Sequence, residues 1–417
     1  MARKARDVAH ELGSLLCEAG MEARFAGGCV RDRLLDVEPK DYDLATTGQP
    51  GEVRAFLKSK GYKVIPTGLS HGTLTVVQDG IPVEVTTLRR DVACDGRHAE
   101  VAFSTSFEED ARRRDFTINA LFERMDGRID DYVGGLADMK VQRLAFVGNP
   151  SERIEEDALR ILRYFRFLAR LKWDMIPDYE DAIIRHKPML ALLSRERIKA
   201  EMDQIVQHDS GRILEQIRLL GLFHCILPLA SPPEELPLDD LYVDYPIELT
   251  ALPYRWFSFI HRRYPRQDDL FEALMQARFS RREASLIQGL DQLTQAFSKG
   301  QNGLTTLFHL KKRNVTTFAE IGLFFDWFTS PFPIPEITRR VLERGDDCEV
   351  PSIQNHLQRI QPPQKRQQMA FLFQISWYLG LCQDVESIDF AHLEKTLRKM
   401  GYHSERDFHG HTPKNTH

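Results

Sequence analysis

Phe25-Ala26-Gly27-Gly28-Cys29-Val30-Arg31-Asp32, followed after a short gap by Lys40-Asp41-Tyr42-Asp43-Leu44, decides how this chain is read. Residues 24–30 read as a strand running into a glycine turn. A short helix at 30–35 then puts its N-terminal amides near the glycines, a placement that favours a bound anion. On a second strand Asp41 and Asp43 would point to the same side, because side chains alternate with period two. Two carboxylates that close repel unless a cation lies between them, and hard oxygen ligands suit Mg²⁺. Gly27 and Gly28 let backbone approach a phosphate closely, with Arg31 and Asp32 beside them. Together these features read as a metal and nucleotide site.

The rest of the chain supplies the frame. Its 417 residues exceed one ordinary core, so roughly two to four domains are expected. A net charge of −5 gives no global basic field, and any nucleic-acid contact must come from local patches. The cysteines at 17, 29, 94, 225, 348 and 382 are scattered without metal-ligand spacing, which suits reduced thiols in a cytoplasmic protein. The first twenty residues are broken by Arg3, Lys4, Arg6, Asp7 and Glu11, so they lack the apolar core of a signal peptide. No stretch reaches the roughly 18 uncharged apolar residues of a membrane span.

An amphipathic helix is expected at 8–19, and strands at 63–66, 73–77 and 82–86, with Asp79-Gly80 as the hairpin turn between the last two. This makes a small mixed α/β unit. Beyond Ser151 apolar residues recur at three and four, glycine thins out, and helices are expected to about Met400. Proline clusters at 228–237, 331–335 and 362–363 break that helical part, and residues 403–417 read as a frayed polar end.

Further motifs add chemistry. Glu84, between Val83 and Val85, should face away from the core on a strand beside Asp41 and Asp43, where it could complete or support a metal shell. In Glu109-Asp110-Ala111-Arg112-Arg113-Arg114-Asp115-Phe116-Thr117-Ile118-Asn119-Ala120, a charge-dense run with cations and an amide leads into the apolar Ala120-Leu121-Phe122. Arg114, Asp115 and Asn119 suit phosphate and ribose hydroxyls. In Glu156-Asp157-Ala158-Leu159-Arg160-Ile161-Leu162-Arg163, a helix would set Asp157 beside Arg160, with Glu156 four residues from Arg160. An acceptor next to a donor complements the Watson–Crick edges of cytosine and adenine, which pair an amino donor with a ring-nitrogen acceptor. Uracil and guanine reverse that order. Protein side chains could therefore choose the base without a template, with Glu156 and Arg163 orienting the pair.

These three motifs resemble motifs A, B and D of the class II tRNA nucleotidyltransferases, the family of CCA-adding enzymes and bacterial poly(A) polymerases within the polymerase β superfamily. Ser194-Arg195-Glu196-Arg197-Ile198 with Glu201 is similar to motif E, which in the family braces the helix bearing motif D. The resemblance is ordered over about residues 20–205 and faint afterwards. It implies an α+β architecture: a polymerase β-like nucleotidyltransferase head at 1–145, followed by an all-α neck at 146–205, body at 206–275 and tRNA-binding tail at 276–417. It implies that Asp41 and Asp43 hold two Mg²⁺ ions, that CTP and ATP are substrates, and that tRNA is the acceptor. No membrane and no obligate protein partner is implied.

Within the family a flexible loop between motifs A and B distinguishes full CCA addition from CC addition, where the loop is truncated. Here residues 88–100, with Arg89, Arg90, Asp91, Asp95, Gly96 and Arg97, are polar and of full length, which points to CCA. Pro66-Thr67-Gly68-Leu69-Ser70-His71-Gly72-Thr73 also resembles the CCA-adding pattern. The Gly-basic-basic-Phe-Arg run and basic tail of poly(A) polymerases are missing. The alternatives are a poly(A) polymerase or a partial CC- or A-adding enzyme. His208-Asp209 lacks the companion histidines of a phosphohydrolase and reads as an incidental helix-end pair. For tRNA backbone contacts the candidates are residues 261–266, Arg278 with Arg281-Arg282, and Lys311-Lys312-Arg313.

Overall fold

The computed structural model describes residues 4–69, 72–94, 99–209, 211–226, 252–263, 270–299, 303–312 and 336–343, with a few isolated positions besides. The proline clusters and the polar end fall outside the described residues. The chain forms two compact units, Met1–His208 with Glu215–Cys225, and Asp209–Leu214 with Ile226–His417. No described helix is long and apolar enough to cross a membrane.

The first unit is built on a seven-stranded mixed sheet. Its strands are β1 (Ala23–Ala26), β2 (Asp43–Thr46), β3 (Lys63–Gly68), β4 (Thr73–Gln78), β5 (Ile81–Thr87), β8 (Leu121–Arg124) and β9 (Ile129–Asp131), in the order β3-β4-β5-β2-β1-β8-β9. Only β2 and β5 run parallel; every other neighbouring pair is antiparallel. The Asp79-Gly80 hairpin forms as read, with Gln78 opposite Ile81. Beside this sheet, β6 (Arg89–Cys94) and β7 (Ala99–Phe103) pair as a two-stranded ribbon. The segment read as a polar loop is thus largely an antiparallel ribbon, and residues 95–98 between its arms, including Asp95, Gly96 and Arg97, lie outside the described residues.

Helix α1 (Ala5–Glu18) covers the sheet through Val8, Leu12 and Leu16, each at most 1% exposed. Burial of each such side chain contributes about 1.5–3 kcal/mol. Strand β1 is shorter than its expected 24–30: Gly27 turns the chain at φ +70°, and α2 (Gly28–Leu34) begins at once. Then come α3 (Pro50–Ser59), α4 (Phe107–Arg112), α5 (Gly135–Lys140), α6 (Pro150–Glu156), α7 (Leu159–Leu171), α8 (Glu180–His186) and α9 (Arg195–His208). The switch to helices past residue 150 agrees with the periodicity. An aromatic cluster of Phe116, Phe146, Tyr164, Phe167 and Tyr179, with ring centroids 5.0–6.1 Å apart, packs α7 beneath the turn at Phe116.

The chain continues through α10 (Arg212–Leu219) and α11 (Phe223–Ile226) to α12 (Leu252–Arg263), α13 (Leu270–Gln276), α14 (Arg281–Ser298), α15 (Leu304–Lys312) and a helix at Glu336–Glu343. His208 ends α9, and the Asp209 carboxylate accepts from the amides of Ile213 and Leu214, so this pair is a helix junction.

One close approach fixes the head's geometry. Asp131 accepts from the amides of Val133, Gly134, Gly135 and Leu136 at 2.9–3.2 Å, and Thr117 Oγ1 donates to Asp138 at 2.6 Å. α5 is thereby pressed onto Thr117 so tightly that a Cβ at Gly135 would lie 2.3 Å from the Thr117 carbonyl oxygen. Gly135→Ala is expected to destabilise the protein by roughly 2–3 kcal/mol in urea melts. Gly51→Ala, in α3 with nothing within 4 Å of the added methyl, is expected to be neutral or stabilising by a few tenths of a kcal/mol.

Candidate active site

One cleft of about 570 Å³ in the first unit opens where the end of β1 meets the start of β2. Its carboxylate side comes from the parallel pairing of β2 with β5, which sets Asp43 directly beside Glu84. Val83 and Val85 are buried at 1%, while Glu84 faces the cleft. Asp41 departs from the expectation: it is exposed, sits on a bend before β2, and does not line the cleft. The strand begins only at Asp43, because Tyr42 is drawn into the core against Phe25. Asp41 still acts on Asp43 through its charge. Burial, then Glu84, then Asp41 push the Asp43 carboxyl up to about 6. Cys29 lies behind, its thiol against the carbonyls of Ala26 and Asp43 and pushed up to about 11, chiefly by burial.

The donor set fits a hard divalent cation. Asp43 and Glu84 supply oxygen ligands under mutual repulsion that a cation would relieve. Among the described residues no three acids, histidines or cysteines form a ready-made metal cage. That agrees with Mg²⁺, which is held by one or two carboxylates together with water and substrate phosphates.

The opposite wall is cationic. Gly27 is required on two counts: its φ is +70°, and a Cβ there would lie 2.7 Å from Arg114 Nη1. Arg114 donates to Asp110 through Nε at 3.0 Å and to the Asn119 carbonyl at 3.1 Å, while Arg113 also donates to Asp110. Burial would raise Asp110, but Arg114 and Arg113 hold it below the usual carboxylate range. Arg31 commits all three nitrogens, with Nε and Nη2 on Asp32 and Nη1 on Asn119. It is 2% exposed and serves as a strut behind the glycine turn. Asp115 accepts from Asn119, the Phe116 amide and Arg163, and Arg163 keeps it below the carboxylate range against the effect of burial.

The Asp157 and Arg160 region is not one continuous helix. α6 ends at Glu156 and Asp157 is extended at φ −155°, ψ 105°, its carboxylate capping α7 through the Leu159 amide. Arg160 pairs with Glu156 at 2.5 Å and donates to the Arg153 carbonyl, while Asp157 pairs with Arg197 of α9 at 2.7 Å. Both still line the cleft. α7 carries a row of Arg160, Arg163, Arg166 and Arg170, held respectively by Glu156 of α6, Asp115, Glu201 of α9 and Asp32 of α2. Glu201 of the segment similar to motif E thus does brace α7.

The cleft therefore gathers Gly27, Gly28, Arg31, Asp43, Glu84, Arg89, Arg114, Asp115, Asn119, Asp157, Arg160 and Arg163. Asp32 and Glu156 stand behind Arg31 and Arg160, and Asp41 stands outside. Arg90 does not line the cleft, and the side chain of Asp91 lies outside the described residues. Asp110, Arg113 and Arg197 also line it, from within the motifs read in the sequence but without a role assigned there, as do Phe167 and Arg170, which lie outside those motifs. Phe167 and Arg170 could have been found by extending the helical spacing four and seven residues beyond Arg163.

The Asp43 shift makes stability depend on pH with a definite sign. A carboxyl raised from 3.8 to about 6 in the fold is favoured when protonated, so the metal-free protein loses stability as pH rises through about 4–6. Asp43→Asn is expected to be more stable than the parent in EDTA at pH 7.5, by at most about 2–3 kcal/mol, and equal to it near pH 4. Urea melts at both pH values check this.

Residues 23–145 match the model of the poly A polymerase head domain, and residues 174–232 that of a probable RNA and SrmB-binding site of polymerase A. The chain is 43% identical over 231 residues to the mitochondrial CCA tRNA nucleotidyltransferase 1 of Mus musculus, covering 54% of this chain and 53% of that one. It is 36% identical over 245 residues to a CCA-adding enzyme of Bacillus licheniformis, covering 58% and 60%. The chain thus spans about half the length of the curated relatives it matches. The structure of the Bacillus stearothermophilus CCA-adding enzyme in complex with CTP superposes with a TM-score of 0.73 at 25% identity, covering 96% of this chain and 99% of that one. Residues 23–145 thus carry a poly A polymerase head domain, and the chain is similar to CCA-adding enzymes over about half its length in sequence and in the fold of this α+β head.

Proposed function

We propose that this protein adds C, C and A to the 3′ ends of tRNA from CTP and ATP, without a template and with release of pyrophosphate. The observation that carries the reading is that an acceptor, Asp157, and a donor, Arg160, line the same cleft as the Asp43 and Glu84 carboxylates. The names of the matched relatives support it, as do the nucleotide and tRNA named in related structures.

In this reading Gly27 and Gly28 leave room for the triphosphate, and Arg114, with Arg113 beside it, neutralises its charge. Asp115 and Asn119 face the ribose. Asp157 accepts from the amino group of cytosine or adenine while Arg160 donates to the ring nitrogen. Asp43 and Glu84 would hold Mg²⁺, with Asp41 at the rim able to join them only by turning inward, and the metal would supply a lowered pKa for the primer 3′-hydroxyl and charge stabilisation for the leaving pyrophosphate. The ribbon of β6 and β7 would take the place of the family's flexible loop. We retain the division into head (1–145), neck (146–205), body (206–275) and tail (276–417). tRNA backbone would meet the tail at Arg278, Arg281 and Arg282, all exposed near the start of α14. His261, Arg262, Arg263, Lys312 and Arg313 have side chains outside the described residues. A cytoplasmic location belongs to this reading on the scattered cysteines, although some matched relatives are named mitochondrial.

A second reading, poly(A) polymerase, is favoured by the name of the matching head domain. Incubating the protein with Mg²⁺, a tRNA lacking its CCA end and each labelled nucleotide separates the two. Incorporation of C, C and then A is expected. Long A tails without CMP would establish the second reading, and a stop after two C residues would indicate a CC-adding enzyme. Asp43→Asn is expected to lower incorporation by roughly a hundredfold or more.

A further inference from the structure

The inference rests on the reading of the cleft as the place where a nucleotide joins an RNA 3′ end, and it concerns the RNA side of that reaction. In phosphoryl transfer the attacking hydroxyl and the leaving group lie in line, on opposite sides of the phosphorus. In that reading the glycine turn after β1 and Arg114 mark the side of the leaving pyrophosphate. Across the sheet the order runs β1, β2, β5, β4, with Asp43 on β2 and Glu84 on β5. The acceptor strand therefore reaches the two carboxylates from the flank beyond β5.

On that flank Thr86, Thr87 and Arg89 line the cleft. Arg89 opens β6 directly opposite Phe103, the last residue of β7, and directly opposed residues share one face of a ribbon. The turn before β4 closes on the same ring. A Cβ on Gly72 would lie 2.7 Å from Phe103 Cε1 and 3.3 Å from Thr87 Cβ, so the ring adjoins the cleft wall. Phe103 is nonetheless 37% exposed, and among the described residues no other phenylalanine, tyrosine or tryptophan is as open to water. Single-stranded RNA is held by aromatic rings on which its bases stack, since every base has a π-face. We infer that Phe103 is the stacking platform for the last base of the acceptor strand, holding the RNA end so that its 3′-hydroxyl arrives at Glu84 and Asp43.

The test compares single-nucleotide addition, from CTP and from ATP, by the parent, Phe103→Ala and Phe103→Trp. The acceptors are a tRNA lacking its CCA end and the same tRNA whose last nucleotide carries no base. With the intact acceptor, Phe103→Ala is expected to raise KM for tRNA about tenfold and to leave KM for the nucleotide within about twofold. Removing the base should raise KM for tRNA by a similar factor in the parent and by little more in Phe103→Ala, because ring and base form one contact. Phe103→Trp, which keeps a ring, should stay within about threefold of the parent. An unchanged KM for tRNA in Phe103→Ala would overturn the inference, as would losses from ring and base that simply multiply. A fall in kcat alone with a large drop in Tm would make the ring merely structural and overturn it as well. A parent protein that adds no nucleotide to the intact acceptor would instead overturn the reading of the cleft on which the inference rests.

Discussion

A guanidinium withdrawn from water needs a carboxylate beside it, and α7 presents four of them. Glu156, Asp115, Glu201 and Asp32 answer Arg160, Arg163, Arg166 and Arg170 from four different parts of the first unit. Asp115, Glu201 and Asp32 are only 8–10% exposed, so loss of its arginine leaves each of these charges shielded and without compensation. The row therefore fixes the position of α7 relative to α2, α6, α9 and the Phe116 turn together. Arg160 reaches the cleft at the height it does because this row and the aromatic cluster beneath it leave α7 no freedom to slide.

The cleft divides its charges by whether they are answered. On the arginine side, Asp110 and Asp115 are ionised and saturated with partners. Across from them, Asp43 and Glu84 face each other as carboxylates with no arginine between them, and Asp43 is pushed up toward neutrality. One wall is thus complete without a ligand and the other is not. In the proposed function, a triphosphate carried by a divalent cation would bridge the two walls.

Much of this was readable from residue patterns. The Gly27-Gly28 turn, the Asp79-Gly80 hairpin, the outward Glu84 and the helical texture past residue 150 all follow from local rules of backbone and periodicity. What local rules missed was set by tertiary contact. Asp41 falls off the strand because Tyr42 packs against Phe25, and Asp157 leaves the helix because its carboxylate caps α7. Arg31, expected among the phosphate ligands, is consumed by Asp32 and Asn119 from a segment some ninety residues away. The pairing of 89–94 with 99–103 was hidden because its polar sequence has the composition of a loop.

In the proposed function, protein side chains read the amino group of the incoming base. A CTP analogue lacking only its 4-amino group tests this most directly, in single-nucleotide addition to a tRNA without its CCA end. Its kcat/KM is expected to fall about a hundredfold or more below that of CTP, because the Asp157 carboxylate is left without the amino donor of the base. Incorporation of the analogue as efficiently as CTP would contradict it.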